Sequence, residues 1–133
     1  MDEHQVKIAL EKYHQFKRMH KKAGDKIDEI ACKKYRVAGS IIRMSDNPVD
    51  RSSILLDLME KEEPLIQDYQ LSLYFIQLAE QFINTLPEAE GKLLHDKYIR
   101  RKSVVWLEQN HYMSRQAQHK LIERRIKHFV ART

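Results

Sequence analysis

Glycine and proline are scarce in this chain, with three of each among 133 residues. These residues mark turns and interrupt helices, so a chain that has few of them favours long helices over many short strands. Hydrophobic residues make up 42% of the sequence, which is enough for the modest core of one domain. The sequence therefore predicts an all-α fold.

The single cysteine, Cys32, cannot form an internal disulfide, which favours a reducing compartment. The first residues contain no apolar run of the length that a signal peptide needs, and no later stretch approaches the roughly 18 apolar residues of a membrane-spanning helix. We therefore expect a cytoplasmic protein without a membrane partner.

The net charge of +5 is unevenly distributed. Residues 1–44 contain eleven basic and six acidic side chains, residues 45–85 contain two and eight, and residues 86–133 contain eleven and five. A basic final third favours a module that binds phosphates. A charged, solvated surface fits the same counts.

The first segment, residues 1–44, is predicted to be basic and helical. Apolar residues at spacings of three and four predict a helix over residues 4–22, for which Gly24 is a suitable stop. A second, shorter helix is expected over residues 25–39. This segment could pack on the rest of the chain, contact a partner such as RNA polymerase, or add nonspecific phosphate contacts.

A loop is predicted over residues 45–53, because Pro48 disfavours helix at Asn47 and the nearby Ser, Asp and Asn side chains compete for backbone hydrogen bonds. An acidic region with one long central helix follows over residues 54–86. Pro64 lies inside it, so we expect either a kink or a division into two helices.

Apolar side chains of the central region form a stripe that is broader than a strict coiled-coil seam. The stripe fits the core of a helical bundle, and the seam of a homodimer is the other interpretation. Its members are Leu55, Leu58, Leu65, Tyr69, Ile76, Ala79, Ile83 and Leu86.

Residues 87–133 carry the cap residues of three further helices. Pro87 suits the first position of a helix, and Ser103 and Ser114 are good N-caps. Their spacing leaves room for a short helix, a tight turn and a final helix from Arg115 to about Val130. This is the layout of a helix-turn-helix, whose second helix enters the major groove of DNA.

The stretch LPEAEGKLLHDKYIRRKS, followed eleven residues later by Ser-Arg, resembles the C-terminal DNA-reading domain of sigma factors. The matching positions are Tyr98, Ser103, Leu107, Met113, Ser114, Arg115 and Leu121. The whole layout is similar to that of the ArpU/RinA/LlgA-like regulators of Gram-positive phages and prophages, with the stronger part over residues 86–130. The resemblance implies a sequence-specific regulator of transcription that binds double-stranded DNA, typically an activator of late phage genes.

Three residues depart from the sigma-like pattern. Glu108 stands where the pattern has a small residue, and Tyr112 stands where the turn usually has glycine. Gln118 replaces a branched apolar residue of the last helix. Ala117 is expected to take over its packing by a small rotation of that helix.

Four polar side chains are exposed in the first two turns of the predicted second helix, and they are the candidates for contact with base edges: Arg115, Gln116, His119 and Lys120. Arginine and lysine can pair with guanine and glutamine with adenine, whereas histidine could donate to a base or a phosphate. The sigma-like resemblance implies the same four positions.

A second group is predicted to hold DNA phosphates. It combines basic residues that precede the short helix, the two Ser caps with their helix N-termini, and one residue on the polar face of the last helix. Its members are Arg100, Arg101, Lys102, Ser103, Ser114 and Arg124.

An enzyme is not expected, because the sequence has no Gly-rich phosphate loop and no set of nucleophile and base that one element would bring together. The seven histidines and Cys32 lack the spacing of a metal site, so neither a metal nor a cofactor is predicted.

Two alternatives to a DNA-binding regulator stay open. One is a helical adaptor that binds RNA polymerase or a repressor, and the other is a DNA-packaging protein similar to small terminase subunits.

Overall fold

The computed structural model describes the backbone of residues 2–43 and 48–133, and the side chains outside residues 40–52. Over these ranges all regular elements are helical, which confirms the predicted all-α fold. In chain order they are α1 (Glu3–Glu11), α2 (Tyr13–Arg43), α3 (Pro48–Asn84), α4 (Glu88–Leu94), a π-helical turn (His95–Ile99), α5 (Val104–His111) and α6 (Arg115–Arg132).

The chain divides into two compact units, one of Met1–Lys17 with Tyr74–Thr133 and the other of Arg18–Leu73. The first unit contains the main core. Its largest fully buried apolar side chains come from five different helices and are Leu10, Phe82, Leu93, Leu94, Leu107 and Ile126. The apolar helix face predicted near the N-terminus is therefore confirmed.

The first predicted helix is interrupted earlier than expected. α1 ends at Glu11, Lys12 forms a turn, and α2 then runs through Gly24, so the helix stop predicted at Gly24 is wrong. A Cβ atom at Gly24 would lie 3.4 Å from a ring carbon of Tyr69. That distance is an ordinary van der Waals contact, so Gly24 lies inside α2 and against Tyr69 of α3 without a steric need for glycine.

The loop predicted over residues 45–53 is too long, because α3 begins at Pro48. Proline suits the first position of a helix, where its missing N–H has no intrahelical partner to lose. Residues 44–47 lie outside the described residues. α3 also continues through Pro64, so the division into two helices is wrong and the kink stays a prediction. Pro64 has no N–H to donate to the backbone carbonyl four residues before it. Because Pro64 is exposed, water can form a hydrogen bond with that carbonyl instead.

Polar and aromatic contacts fix the helices of the first unit. The Tyr13 hydroxyl donates to Glu80 Oε1 at 2.8 Å, and the Phe16 and Phe75 rings stack with centroids 4.7 Å apart. α1 packs against α6. Arg125 holds α6 to α4, since its Nε lies 2.7 Å from Glu90 Oε2 and its second guanidinium nitrogen donates to Oε1 at 2.9 Å.

Candidate nucleic-acid interface

The predicted helix-turn-helix region forms two capped helices joined by three residues. Ser103 Oγ accepts from the Trp106 N–H, and Ser114 Oγ accepts from the Ala117 N–H, both at 3.2 Å. These bonds satisfy backbone donors that have no partner within the first turn of a helix. Both Ser caps and both helices are therefore confirmed, although α6 extends to Arg132 rather than ending near Val130.

Left-handed backbone conformations occur at both ends of α5. Arg101 has φ of 55°, and Tyr112 has φ of 54° with ψ of 40°. Glycine usually occupies such positions because a Cβ atom is crowded there. The turn into α6 is therefore formed at a steric cost, which the surrounding helices must offset.

Replacing Tyr112 by glycine is expected to raise the free energy of unfolding by about 1 kcal/mol, since the left-handed strain is relieved and the Tyr112 side chain is 93% exposed. Urea unfolding followed by circular dichroism measures the change. Tyr35 is the matched control, because it is 82% exposed but lies inside α2. There the same substitution should lower the free energy of unfolding by about 1 kcal/mol. Equal effects at both sites would contradict the strain at Tyr112.

Glu108, the first departure from the sigma-like pattern, has a structural role in this turn. Its Oε1 atom accepts from the backbone N–H of Arg115 at 3.2 Å. Together, Glu108 and Ser114 cap the first turn of α6, where a negative side chain also interacts favourably with the helix dipole. A DNA phosphate that approached this N-terminus would have to displace the Glu108 carboxylate.

Gln118 keeps the core-facing position that the sigma-like pattern assigns to an apolar residue. Its side chain is 1% exposed, and its Nε2 donates to the Met113 carbonyl at 2.9 Å. Ala117 is exposed, so the rotation that would have placed it in the core is wrong. A buried amide is tolerated here because the turn supplies an acceptor. The register of α6 therefore follows the resemblance unchanged.

The four candidate base-contacting residues lie together around one open groove of about 560 Å³, whose lining is Lys97, Arg115, Gln116, His119 and Lys120. The last four of these are exposed. His119 Nε2 also lies 3.2 Å from Glu123 Oε1, one turn further along α6. The groove combines donors for guanine on Arg115 and Lys120, an amide for adenine on Gln116, the imidazole of His119 and one further cation, Lys97.

Lys97 was not predicted from the sequence. It lies in the π-helical turn, where Arg100 N–H donates to the His95 carbonyl at 2.9 Å, five residues back. If this segment were α-helical, Lys97 would lie on the same buried face of the helix as Leu93 and Leu94. The helical periodicity of the sequence therefore does not indicate that Lys97 lines a groove. π-helical turns occur often at functional sites, but no local sequence rule predicts them.

The pKa of Lys97 is lowered, first by partial burial and then by the positive charge of Arg115, while Glu11 acts in the opposite direction. Positive charge is therefore concentrated at this side of the groove. A phosphate group bound there would favour the charged form of Lys97.

The candidate phosphate contacts differ in what engages them. Exposed side chains are those of Arg100, Arg101, Ser103, Ser114 and Arg124, whereas Lys102 is half-buried. Arg100 is engaged by other residues, because its guanidinium lies 3.1 Å from Asp96 Oδ1 and above the Trp106 ring at 5.9 Å. The Lys102 ammonium also lies over the Trp106 ring, 5.0 Å from its centroid. Arg100 and Lys102, two of the three cations predicted before α5, therefore both lie over the ring of Trp106.

The buried side chain of Asp96 holds the π-helical turn and α5 together. Its side chain is 5% exposed, and its Oδ2 lies 2.8 Å from His111 Nε2 in α5. Burial by itself would raise the pKa of Asp96, but the hydrogen bonds from His111 and Arg100 outweigh it and hold the pKa below its ordinary value. The carboxylate thus joins the π-helical turn to the C-terminal end of α5 through His111, and to Arg100, which directly follows the turn.

Among the described residues, no helix is both long and apolar enough to cross a membrane. The same residues contain no group of three or more His, Cys, Asp or Glu side chains arranged to hold a metal ion. No family model, no curated protein and no solved structure matches the chain.

Proposed function

We propose that this chain is a sequence-specific double-stranded DNA-binding regulator of transcription, with α6 as the helix that enters the major groove. The observation that carries the proposal is the convergence of Arg115, Gln116, His119, Lys120 and Lys97 around one exposed groove at the start of α6. First-turn residues of the second helix are the ones that meet base edges in helix-turn-helix proteins.

The cations outside this groove support the same proposal. Arg101 and Arg124 are exposed, and Lys102 is positioned over Trp106. Such flanking charge supplies contacts with the DNA backbone that are independent of sequence.

The resemblance to ArpU/RinA/LlgA-like regulators extends the proposal to a more specific role. We propose that the chain activates late genes of a phage or prophage in the cytoplasm of a bacterial host, with RNA polymerase as a further partner. A DNA-packaging protein and an adaptor that does not bind DNA are the competing functions. Sequencing of DNA fragments captured by the full chain distinguishes them, since a regulator should enrich promoter-proximal sites, a packaging protein a single packaging site, and an adaptor none.

Replacing Arg115 by alanine is expected to relax sequence preference, at a cost of about 1–3 kcal/mol for the preferred duplex. Binding to unrelated duplexes should change much less. Fluorescence anisotropy with the captured sequence and with a scrambled duplex measures both affinities.

Arg132 is the matched control for Arg115. It lies on the same helix 17 residues further along, which is about 25 Å, and it is exposed. The Arg132→Ala variant loses the same charge and should keep its preference for the captured sequence. If the Arg115 and Arg132 variants lost the same affinity for both duplexes, α6 would not be the base-contacting helix.

A further inference from the structure

The N-terminal segment contacts the π-helical turn that carries Lys97. His14 lies in the first turn of α2 and is half-buried, and its Nε2 is 2.8 Å from the backbone carbonyl oxygen of Ile99, the last residue of the π-helical turn. A carbonyl oxygen can only accept a hydrogen bond, so His14 Nε2 carries the proton and donates. The bond joins residues that are 85 positions apart in the sequence but belong to the same compact unit.

The Ile99 carbonyl lies at a helical C-terminus, where the last carbonyls have no intrahelical N–H from which to accept. The chain leaves the helical path directly afterwards, since Arg101 adopts the left-handed conformation and Ser103 is already the N-cap of α5. His14 therefore supplies from α2 a donor that the turn does not obtain from its own helix.

The same turn places Lys97 in the groove beside α6. Its ammonium lies over the ring of Tyr98, 5.4 Å from the centroid, and Tyr98 packs against the core. The pKa of Lys97 is lowered by partial burial and by the positive charge of Arg115, which lines the same groove. Two cations that repel each other stay close only if the backbone that carries them is held in place. The free chain therefore needs a fixed turn to keep Lys97 at this position.

We propose that His14 is a positioning residue for DNA binding: by holding the Ile99 carbonyl, it fixes the π-helical turn and keeps Lys97 where this lysine meets a DNA phosphate. The inference rests on the proposed function. His14 is not among the residues that line the groove, so it acts through Lys97 rather than on DNA itself. The N-terminal segment thereby contributes to DNA binding from behind the groove.

A double-mutant cycle in the full chain tests this role. Anisotropy titrations with the captured duplex at several salt concentrations compare the wild type, His14→Ala, Lys97→Ala and the double variant. Each single substitution should lower the slope of log affinity against log salt by up to about 0.9, the value of one phosphate contact. The double variant should bind within about twofold of Lys97→Ala, because a residue that acts only through Lys97 then has nothing left to position.

Three further variants separate positioning from a general loss of packing. His14→Gln should bind within about twofold of the wild type, because its amide can donate to the same carbonyl. His14→Phe keeps a ring but has no donor, so it should reproduce the result of His14→Ala without the same loss of packing. His4→Ala is the matched control, since it removes a histidine from an exposed position of α1 and should bind as the wild type does.

Two results would overturn the positioning role. One is an unchanged salt slope in both His14→Ala and His14→Phe, and the other is a loss of affinity that adds in full to the loss caused by Lys97→Ala.

The position of Lys97 is also measurable without DNA, by NMR titration of isotope-labelled lysine Cε atoms. The Lys97 resonance, assigned by its absence from the Lys97→Arg variant, should titrate below the ordinary lysine pKa of about 10.4 and should move towards that value in His14→Phe. A resonance that titrates identically in both chains would overturn the role of His14, whether or not DNA binds. Absence of duplex binding by a wild type in which this resonance does respond would instead overturn the proposed function.

Discussion

Replacing Phe82 by alanine is expected to lower the free energy of unfolding by about 3–5 kcal/mol, which is a large part of the stability of a small domain. Phe82 has no exposed surface, and its ring meets Phe129 of α6 edge-on with centroids 5.3 Å apart. The substitution removes this contact and leaves a cavity between α3 and α6. Chemical unfolding followed by circular dichroism measures the loss.

Phe82→Leu is the graded control for this substitution. Leucine fills most of the site, so the expected loss is less than half of that caused by alanine. If the alanine variant lost under about 1 kcal/mol, the first unit would not be organised around the core described above.

Replacing Asp96 by alanine is expected to lower the free energy of unfolding by about 3 kcal/mol, because it leaves His111 without its carboxylate partner in a largely buried position. Arg100 contributes less to this loss, since its side chain is 51% exposed and its charge is screened by water. The Arg100→Ala variant is therefore the control, with an expected loss below about 1 kcal/mol. Equal losses from the two variants would contradict a buried anchor at Asp96.

Low pH is expected to reduce the free energy of unfolding of the wild type, because it protonates the Asp96 carboxylate. Because the pKa of Asp96 is lower in the folded chain than in the unfolded chain, its stabilisation is complete above the ordinary carboxyl pKa of about 3.9 and is lost as the pH falls through the folded value. The Asp96→Asn variant lacks this dependence. The difference in unfolding free energy between wild type and variant should therefore shrink as the pH is lowered below about 4.

Local rules predicted the second half of the chain well. Ser103 and Ser114 act within a few residues of themselves, so the starts of α5 and α6 follow from sequence alone. Pro87 was predicted at the first position of a helix, but it lies one residue earlier, at the N-cap of α4. Gln118 could not be predicted in the same way. Its buried amide bonds to the Met113 carbonyl, which lies in the turn that follows the left-handed Tyr112, and no local sequence rule indicates that acceptor.

The features that the sequence did not predict depend on contacts between distant residues. Lys12 breaks the first helix without glycine or proline, in a region where Tyr13 bonds to Glu80 and α1 packs on α6. Gly24 lies inside α2 rather than at its end, and it contacts Tyr69, which is distant in the sequence. The π-helical turn moves Lys97 into the groove, and α-helical periodicity cannot indicate that position.

The salt dependence of duplex binding tests the central proposal most directly. Anisotropy titrations of the full chain with the captured duplex, repeated from low to physiological salt, should give an affinity that falls linearly on a double-logarithmic plot, by a slope of about 0.9 for each phosphate contact. The Arg101→Ala variant should reduce the slope by about one contact. A chain that shows no saturable binding to the duplex even at low salt would contradict the assignment of α6 and its groove to DNA.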